Sequence, residues 1–203
     1  TSTVFSVASG ATITTGDEAA FSTLLTNESN GNIAITDQNL TVSSGTISVD
    51  NANLLNATTT GTVTAAIDLT EDVDELATLS GTGAYTIVIA SGDATGSTAA
   101  EFNTINSATT VAIDASEVTA LASSNLSDVK TLLTAANDTD QFTDSTGKVS
   151  FGGLTAVAIA DATVDVSDFN AAVTQANTAT GKTTAANGGG ATVFTLASAA
   201  TYS

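Results

Sequence analysis

Short runs rich in Val, Ile and Thr recur along the chain at 3–7, 32–36, 46–49, 62–67, 85–90, 109–114, 155–160 and 192–197. Several alternate apolar and polar residues with the period of a half-buried strand, as at 110–114. The run 85–90 is more continuously apolar and predicts a strand buried on both faces. Between these runs lie segments with helical spacing at 15–25, 70–79, 97–105, 127–136 and 167–176. The first places Phe21, Leu24 and Leu25 on one face. Thr70 reads as an N-cap with acids in the following turn, where the helix dipole favours them. Thr98 and Glu101 have capping-box spacing.

Strand, loop and helix in alternation predict parallel strands joined by helical crossovers. The expected fold is a slim α/β layer structure, repetitive and solenoid-like, with a mostly-β sandwich or β-solenoid as the alternative. Residues 137–150 form the longest polar stretch. They divide the chain into a repetitive α/β region (1–136), a polar linker (137–150) and a C-terminal α/β unit (151–203), unless the whole is one continuous domain.

Self-similarity adds to this picture. Residues 3–12 (TVFSVASGAT) match 192–201 (TVFTLASAAT) at seven of ten positions, with an offset of 189. Read as equivalent strands, the two ends make this chain either one unit of a longer repetitive protein or a subunit whose end substitutes for its neighbour's. Strand addition of that kind builds open head-to-tail polymers. The candidate joint is Thr3, Val4, Phe5 and Val7 at one end, with Thr192, Val193, Phe194 and Leu196 at the other. A weaker repeat relates 50–64 to 98–112, both reading as helix, Thr-rich turn and strand.

Composition narrows the function. The chain has 203 residues, of which Thr (40), Ala (36) and Ser (21) are nearly half. It lacks Cys, Met, Pro, Trp, His and Arg. There is no disulfide framework, no thiolate, no imidazole base and no conventional zinc site. A net charge of −18 disfavours nucleic acid as a partner. No apolar stretch is long enough for a membrane helix, so membrane insertion is not expected. A chain that begins with Thr1 reads as a processed product or an excerpt. Residues 1–129 carry 15 acids and no base, so a polymer of such chains would need salt or divalent cations to screen it.

Candidate chemistry is sparse. Asp138, Asp140 and Asp144 offer alternating loop oxygens suited to a hard cation, and Asp161, Asp165 and Asp168 form a second oxygen-rich patch. Calcium is the candidate ion for both, against turn-forming and helix-capping roles. The pattern lacks the Gly and distal Glu of an EF-hand loop. Gly181-Lys-Thr183 lacks the upstream Gly of a phosphate loop. With few aromatics, no nucleophile elbow and carboxylates and three lysines as the available bases, an enzyme is not expected and no catalytic residue is assigned.

Segments 85–93, 99–110 and 111–120 resemble the Thr/Ala/Ser/Asp-rich repeats of very large secreted bacterial surface proteins, notably of marine picocyanobacteria. There an apolar strand, an Asp, a short Ala/Leu/Asn helix and a Thr-Thr-x-Val-x-Ala strand recur. The resemblance spans about residues 46–135. It implies a secreted, cell-surface location and roles in adhesion, surface layers or motility. The expectation is a non-enzymatic extracellular structural protein that assembles with itself, head to tail or as tandem repeats. The alternative is a Ca²⁺-dependent adhesive module or a phage fibre or decoration domain, with surface glycans as candidate partners.

Overall fold

A computed structural model describes residues 4–90, 92–94, 96–138, 140–143, 151, 153–179 and 192–203. The chain is mixed α/β, with short strands in parallel sheets. The first elements are β1 (Phe5–Ser6), β2 (Thr12–Thr15), α1 (Glu18–Ser29), β3 (Ile33–Ala34), β4 (Asn39–Val42) and α2 (Val49–Thr58). Then come β5 (Val63–Ala66), α3 (Val73–Leu76), β6 (Ala84–Thr86), α4 (Ala99–Ala108), β7 (Ile113–Asp114) and β8 (Ala120–Ser124). The last are α5 (Leu126–Ala136), β9 (Phe142–Thr143), β10 (Ala156–Ile159), β11 (Thr163–Val164), α6 (Val166–Ala179), β12 (Val193–Leu196) and β13 (Thr201–Tyr202).

Strands pair with others a turn of chain away, always in parallel. Phe5 meets Ile33, Thr12 meets Asn39, Leu40 meets Val63 and Thr64 meets Ala84. The ladder continues through single bridges from Gly83 to Thr109 and from Val88 to Asp114, and through Ile113 to Phe142. Ala120 then meets Ala156, and Ala156 meets Val193. The chain thus advances by one layer per circuit. In the first half a circuit takes 20 to 28 residues. From β8 onward it takes 35 to 38. Parallel pairing requires a return path, and the helices supply it.

The helices stack beside the sheets, α3 against α4, α4 against α5 and α5 against α6. One face of each helix and the inward face of most strands bury into a single apolar cluster. It includes Leu40, Leu55, Val63, Leu76, Tyr85, Phe102, Ile105, Leu132 and Val157. The cluster is continuous across the stretch read as a polar linker. Phe142 is buried within that stretch and lies edge-on to Phe151 at 5.2 Å, and Phe151 lies edge-on to Phe102 at 5.5 Å. Sheet β8-β10-β12 joins residues on both sides of it. Residues 144–150 lie outside the described residues.

Several local expectations change. The run 85–90 is buried on one face only: Tyr85, Ile87 and Ile89 point inward while Thr86 and Val88 are exposed. Only Ile47 of the run 46–49 pairs, with Ile67, because Val49 already begins α2. The helix predicted at 70–79 is a single turn capped by Asp72 rather than Thr70, with Glu75 closing a capping box. Thr98 and Glu101 form their box as spaced. The expected alignment of 50–64 with 98–112 is shifted by two. Helices α2 and α4 coincide at an offset of 50, which equates their caps Ser48 and Thr98 and their C-caps Thr59 and Thr109.

Those two threonines explain part of the composition. Each is buried and turns the chain from helix into strand. Thr59 Oγ1 donates to Gln38 O at 2.6 Å and accepts from Gly61 N at 2.9 Å. Thr109 Oγ1 donates to Tyr85 O at 2.8 Å and accepts from Tyr85 N and Val111 N, both at 3.1 Å. Each hydroxyl therefore ties one layer to the one before. On helix surfaces Thr23, Thr26, Thr58, Thr104 and Thr131 donate to the carbonyl four residues back, so a hydroxyl-rich helix satisfies itself without charge.

Candidate assembly edges and acidic groups

The two ends of the stack share one geometry. β1 turns through 7–11 into β2, and β12 turns through 197–200 into β13. Ala11 N donates to Ala8 O at 3.1 Å in the first turn, and Ala200 N donates to Ala197 O at 3.0 Å in the second. Both bonds are related by the offset of 189 that relates the sequences. Gly10 sits at φ +67° and its counterpart Ala199 at φ +68°. A left-handed backbone is natural for glycine and strained for alanine, so Ala199 holds it only because the turn around it demands it.

Side-chain direction matches as well. Phe5 is aligned with Ile33 and Phe194 with buried Val157, whereas Ser6 and Thr195 are both exposed. In the second strand, Ile13 is aligned with buried Leu40 and Tyr202 with buried Val164, while Thr12 and Thr201 are exposed.

Each end is paired on one edge only. Among the described residues, β1 pairs with β3 alone and β2 with β4 alone, while β12 pairs with β10 alone and β13 with β11 alone. The free edges carry apolar side chains in water. Val4 is 51% exposed, Phe5 71%, Val193 62% and Tyr202 60%. Phe194 rests edge-on against Phe169 of α6 at 5.6 Å. Sheet edges are ordinarily guarded by lysine, proline or inward charge. Here residues 4–16 and 192–203 contain no charged residue and no proline, although the whole chain carries −18. Of the residues expected at the joint, Val4, Phe5, Val7, Thr192, Val193, Phe194 and Leu196 lie on these two ends. Thr192 is buried beneath β12, its hydroxyl donating to Leu154 O at 3.0 Å. Thr3 lies outside the described residues. The neutrality of both ends and the Gly10/Ala199 turn were not part of the sequence expectation. A plot of charge along the chain carries the first.

The acids expected to bind a cation are engaged in local structure. Asp138 accepts from Asp140 N at 3.0 Å and from Gln141 Nε2 at 3.0 Å, and these bonds hold its pKa below the usual carboxylate value. Asp165 caps α6, accepting from Asp168 N at 2.9 Å and Ser167 Oγ at 2.8 Å. Those bonds, with a smaller contribution from Lys130, lower its pKa. Asp161 reaches to the preceding layer and accepts from Leu126 N at 2.6 Å, capping α5 in trans because Asn125 makes no side-chain cap bond of its own. Asp168 pairs with Lys130 Nζ at 2.6 Å on the surface, where such a pair contributes little. Asp140 is exposed, and Asp144 lies outside the described residues. Asp161, Asp165 and Asp168 do line one open groove of about 960 Å³ together with Lys130, Asn103 and Gln141. No group of three or more Asp or Glu among the described residues is gathered closely enough to hold a metal ion.

Acids do crowd on the helix side. Asp74 has its pKa raised, chiefly by the charge of Glu101 one layer on. Glu71 is raised by burial, then by Glu75 and Asp68, against the lowering effect of Val49 N, which it caps at 3.1 Å. No helix among the described residues is long and apolar enough to cross a membrane.

No protein-family model, no curated protein and no solved structure matches this chain.

Proposed function

We propose that this chain is a non-enzymatic structural protein of the cell exterior. It is a subunit or repeat unit of a surface filament, layer or giant adhesin. It is built as a solenoid-like stack whose two ends join to copies of themselves. The observation that carries the reading is the pair of half-layers at the ends. They are alike in sequence and in turn geometry, uncharged, apolar, and each paired on one edge only. A heterologous contact between such ends repeats without closing unless a rotation closes it, and so generates open polymers. The acidic middle keeps the bodies apart laterally and leaves the ends as the surface where two copies meet without charge repulsion.

Negative-stain microscopy of the purified chain at micromolar concentration in saline tests this. The expected result is linear assemblies of uniform width. Single particles at every concentration and ionic strength would overturn it.

A further inference from the structure

Elsewhere the groove beside Lys130 is open and its acids are engaged in local bonds, and the acids around Asp74 are a surface cluster. The two ends carry more. Resting on the assembly reading above, we infer that two copies of this chain meet with the β12–β13 half-layer of one lying directly on the β1–β2 half-layer of the next. The strands are parallel and in one register, like residue over like residue. Val193 lies on Val4, Phe194 on Phe5, Thr195 on Ser6 and Leu196 on Val7, while Thr201 lies on Thr12 and Tyr202 on Ile13.

The register follows from three constraints on the page. First, all pairing between layers inside the chain is parallel, so a layer added at either end continues the ladder only in parallel. Second, side chains alternate faces, and a slip of one residue would turn Phe5 and Ile13 outward and Ser6 and Thr12 inward. Third, each half-layer has two strands joined by a turn in which the Ala11–Ala8 and Ala200–Ala197 backbone bonds correspond, with Gly10 and Ala199 in the same left-handed conformation. A slip of two residues keeps the faces but sets the turns out of step, so both strands cannot pair at once. The offset of 189 satisfies both strands and the turn together. The exposed Phe5 and Tyr202 are then covered on their open edge, as half-buried Ile33 and buried Val164 are within one chain.

The polarity of charge agrees. Residues 130–203 carry six acids and three lysines, against fifteen acids and no base in residues 1–129. Head-to-tail contact places the weakly charged region against the strongly charged one. Head-to-head contact would set two strongly acidic regions together, and its strands would run antiparallel.

The chain has no cysteine, so introduced cysteines report without background. The Ser6→Cys/Thr195→Cys and Thr12→Cys/Thr201→Cys variants place thiols at exposed positions of the two strands. Partners in register are separated by the ordinary strand spacing, within disulfide reach, while a two-residue slip puts them at roughly 8 Å, beyond it. Val4→Cys/Thr195→Cys is the slipped control. Each variant is mixed with oxidised glutathione under assembly conditions, and sedimentation is run in parallel under reducing conditions. Both in-register variants are expected to give a ladder of covalent multimers, at least tenfold more than the control. Circular dichroism and thermal melting of the reduced variants check that each is folded, and the two strands give independent readings. Assemblies that form while the control cross-links and the in-register pairs do not would overturn this register and leave the assembly reading standing. Monomers in sedimentation, with no cross-linking in any variant, would overturn both.

Discussion

The inner layers and the two end half-layers are built from the same residue types and behave differently. Inside, β4, β5 and β10 have a strand on both edges, and Tyr85, Phe102 and Ile113 are buried. All 21 acids lie between Asp17 and Asp168. At the ends, one edge is open, aromatic residues face water and charge is absent. The acids of the middle cap helices and cover the solvent face. The difference teaches that the residues holding the fold together and those available for the proposed association lie in separate regions. Changes in the middle should alter melting, and changes at the ends should alter assembly.

The largest effect on stability is expected in the middle. Phe102→Ala removes a buried ring that holds Phe151 and should cost about 3–5 kcal/mol, read by denaturant unfolding. Thr109→Val keeps the shape but leaves the backbone of Tyr85 and Val111 short of partners, at a cost of about 1–3 kcal/mol. Thr59→Val should behave alike, since it occupies the same place one repeat earlier. A cost below a few tenths for both would break the view that these hydroxyls tie successive layers.

Substitution at an end should reverse the pattern. Val193→Lys lies at an exposed edge and should change stability by no more than about 0.5 kcal/mol. It should nevertheless abolish assembly in sedimentation, because it places charge on an edge that has none. Melting and assembly lost together would erase the distinction between the two regions.

The smallest effects concern pH. The pKa of Asp74 is raised in the folded chain, so folding favours its protonated form and stability from this group grows as pH falls. Asp74→Asn should raise the melting temperature at pH 7, and the gain should shrink as pH drops through the raised value. Asp165 is the opposite case, its pKa being lowered by the bonds it accepts at the start of α6. Its stabilisation is present above the unfolded carboxylate value and is lost as pH falls through the depressed one. Asp165→Asn should therefore lower the melting temperature at pH 7 and make little difference in strong acid.

Much of the architecture was legible in the sequence because the apolar periods are clean. The strands at 5–6, 63–66, 156–159 and 193–196 fall within predicted runs. Helices α1, α4, α5 and α6 overlap the segments of helical spacing, and the capping box at Thr98 was readable from spacing. What escaped notice had weak local signals. β2 (Thr-Ile-Thr-Thr) and β8 (Ala-Leu-Ala-Ser-Ser) have little apolar character and exist because a neighbouring strand pairs with them. The run 85–90 looked buried on both faces because Val88 is apolar, yet Thr86 and Val88 are exposed. The acids at 138, 161 and 165 looked like ion ligands because a capping carboxylate and a ligating one use the same residue type in the same kind of loop. Asp161 caps a helix in another layer, which no local pattern reveals. The equivalence of the two ends was visible as a repeat, but the matching left-handed turn at Gly10 and Ala199 was not, since alanine gives no sign of it.

The central claim is that strands stack along the long axis of the assembly and continue across the joint. Diffraction from aligned assemblies of the full chain tests it most directly. The account predicts a reflection along the assembly axis at about 4.8 Å, the spacing of paired strands. A strand reflection at that spacing perpendicular to the axis would mean that copies associate side by side, and would contradict the account.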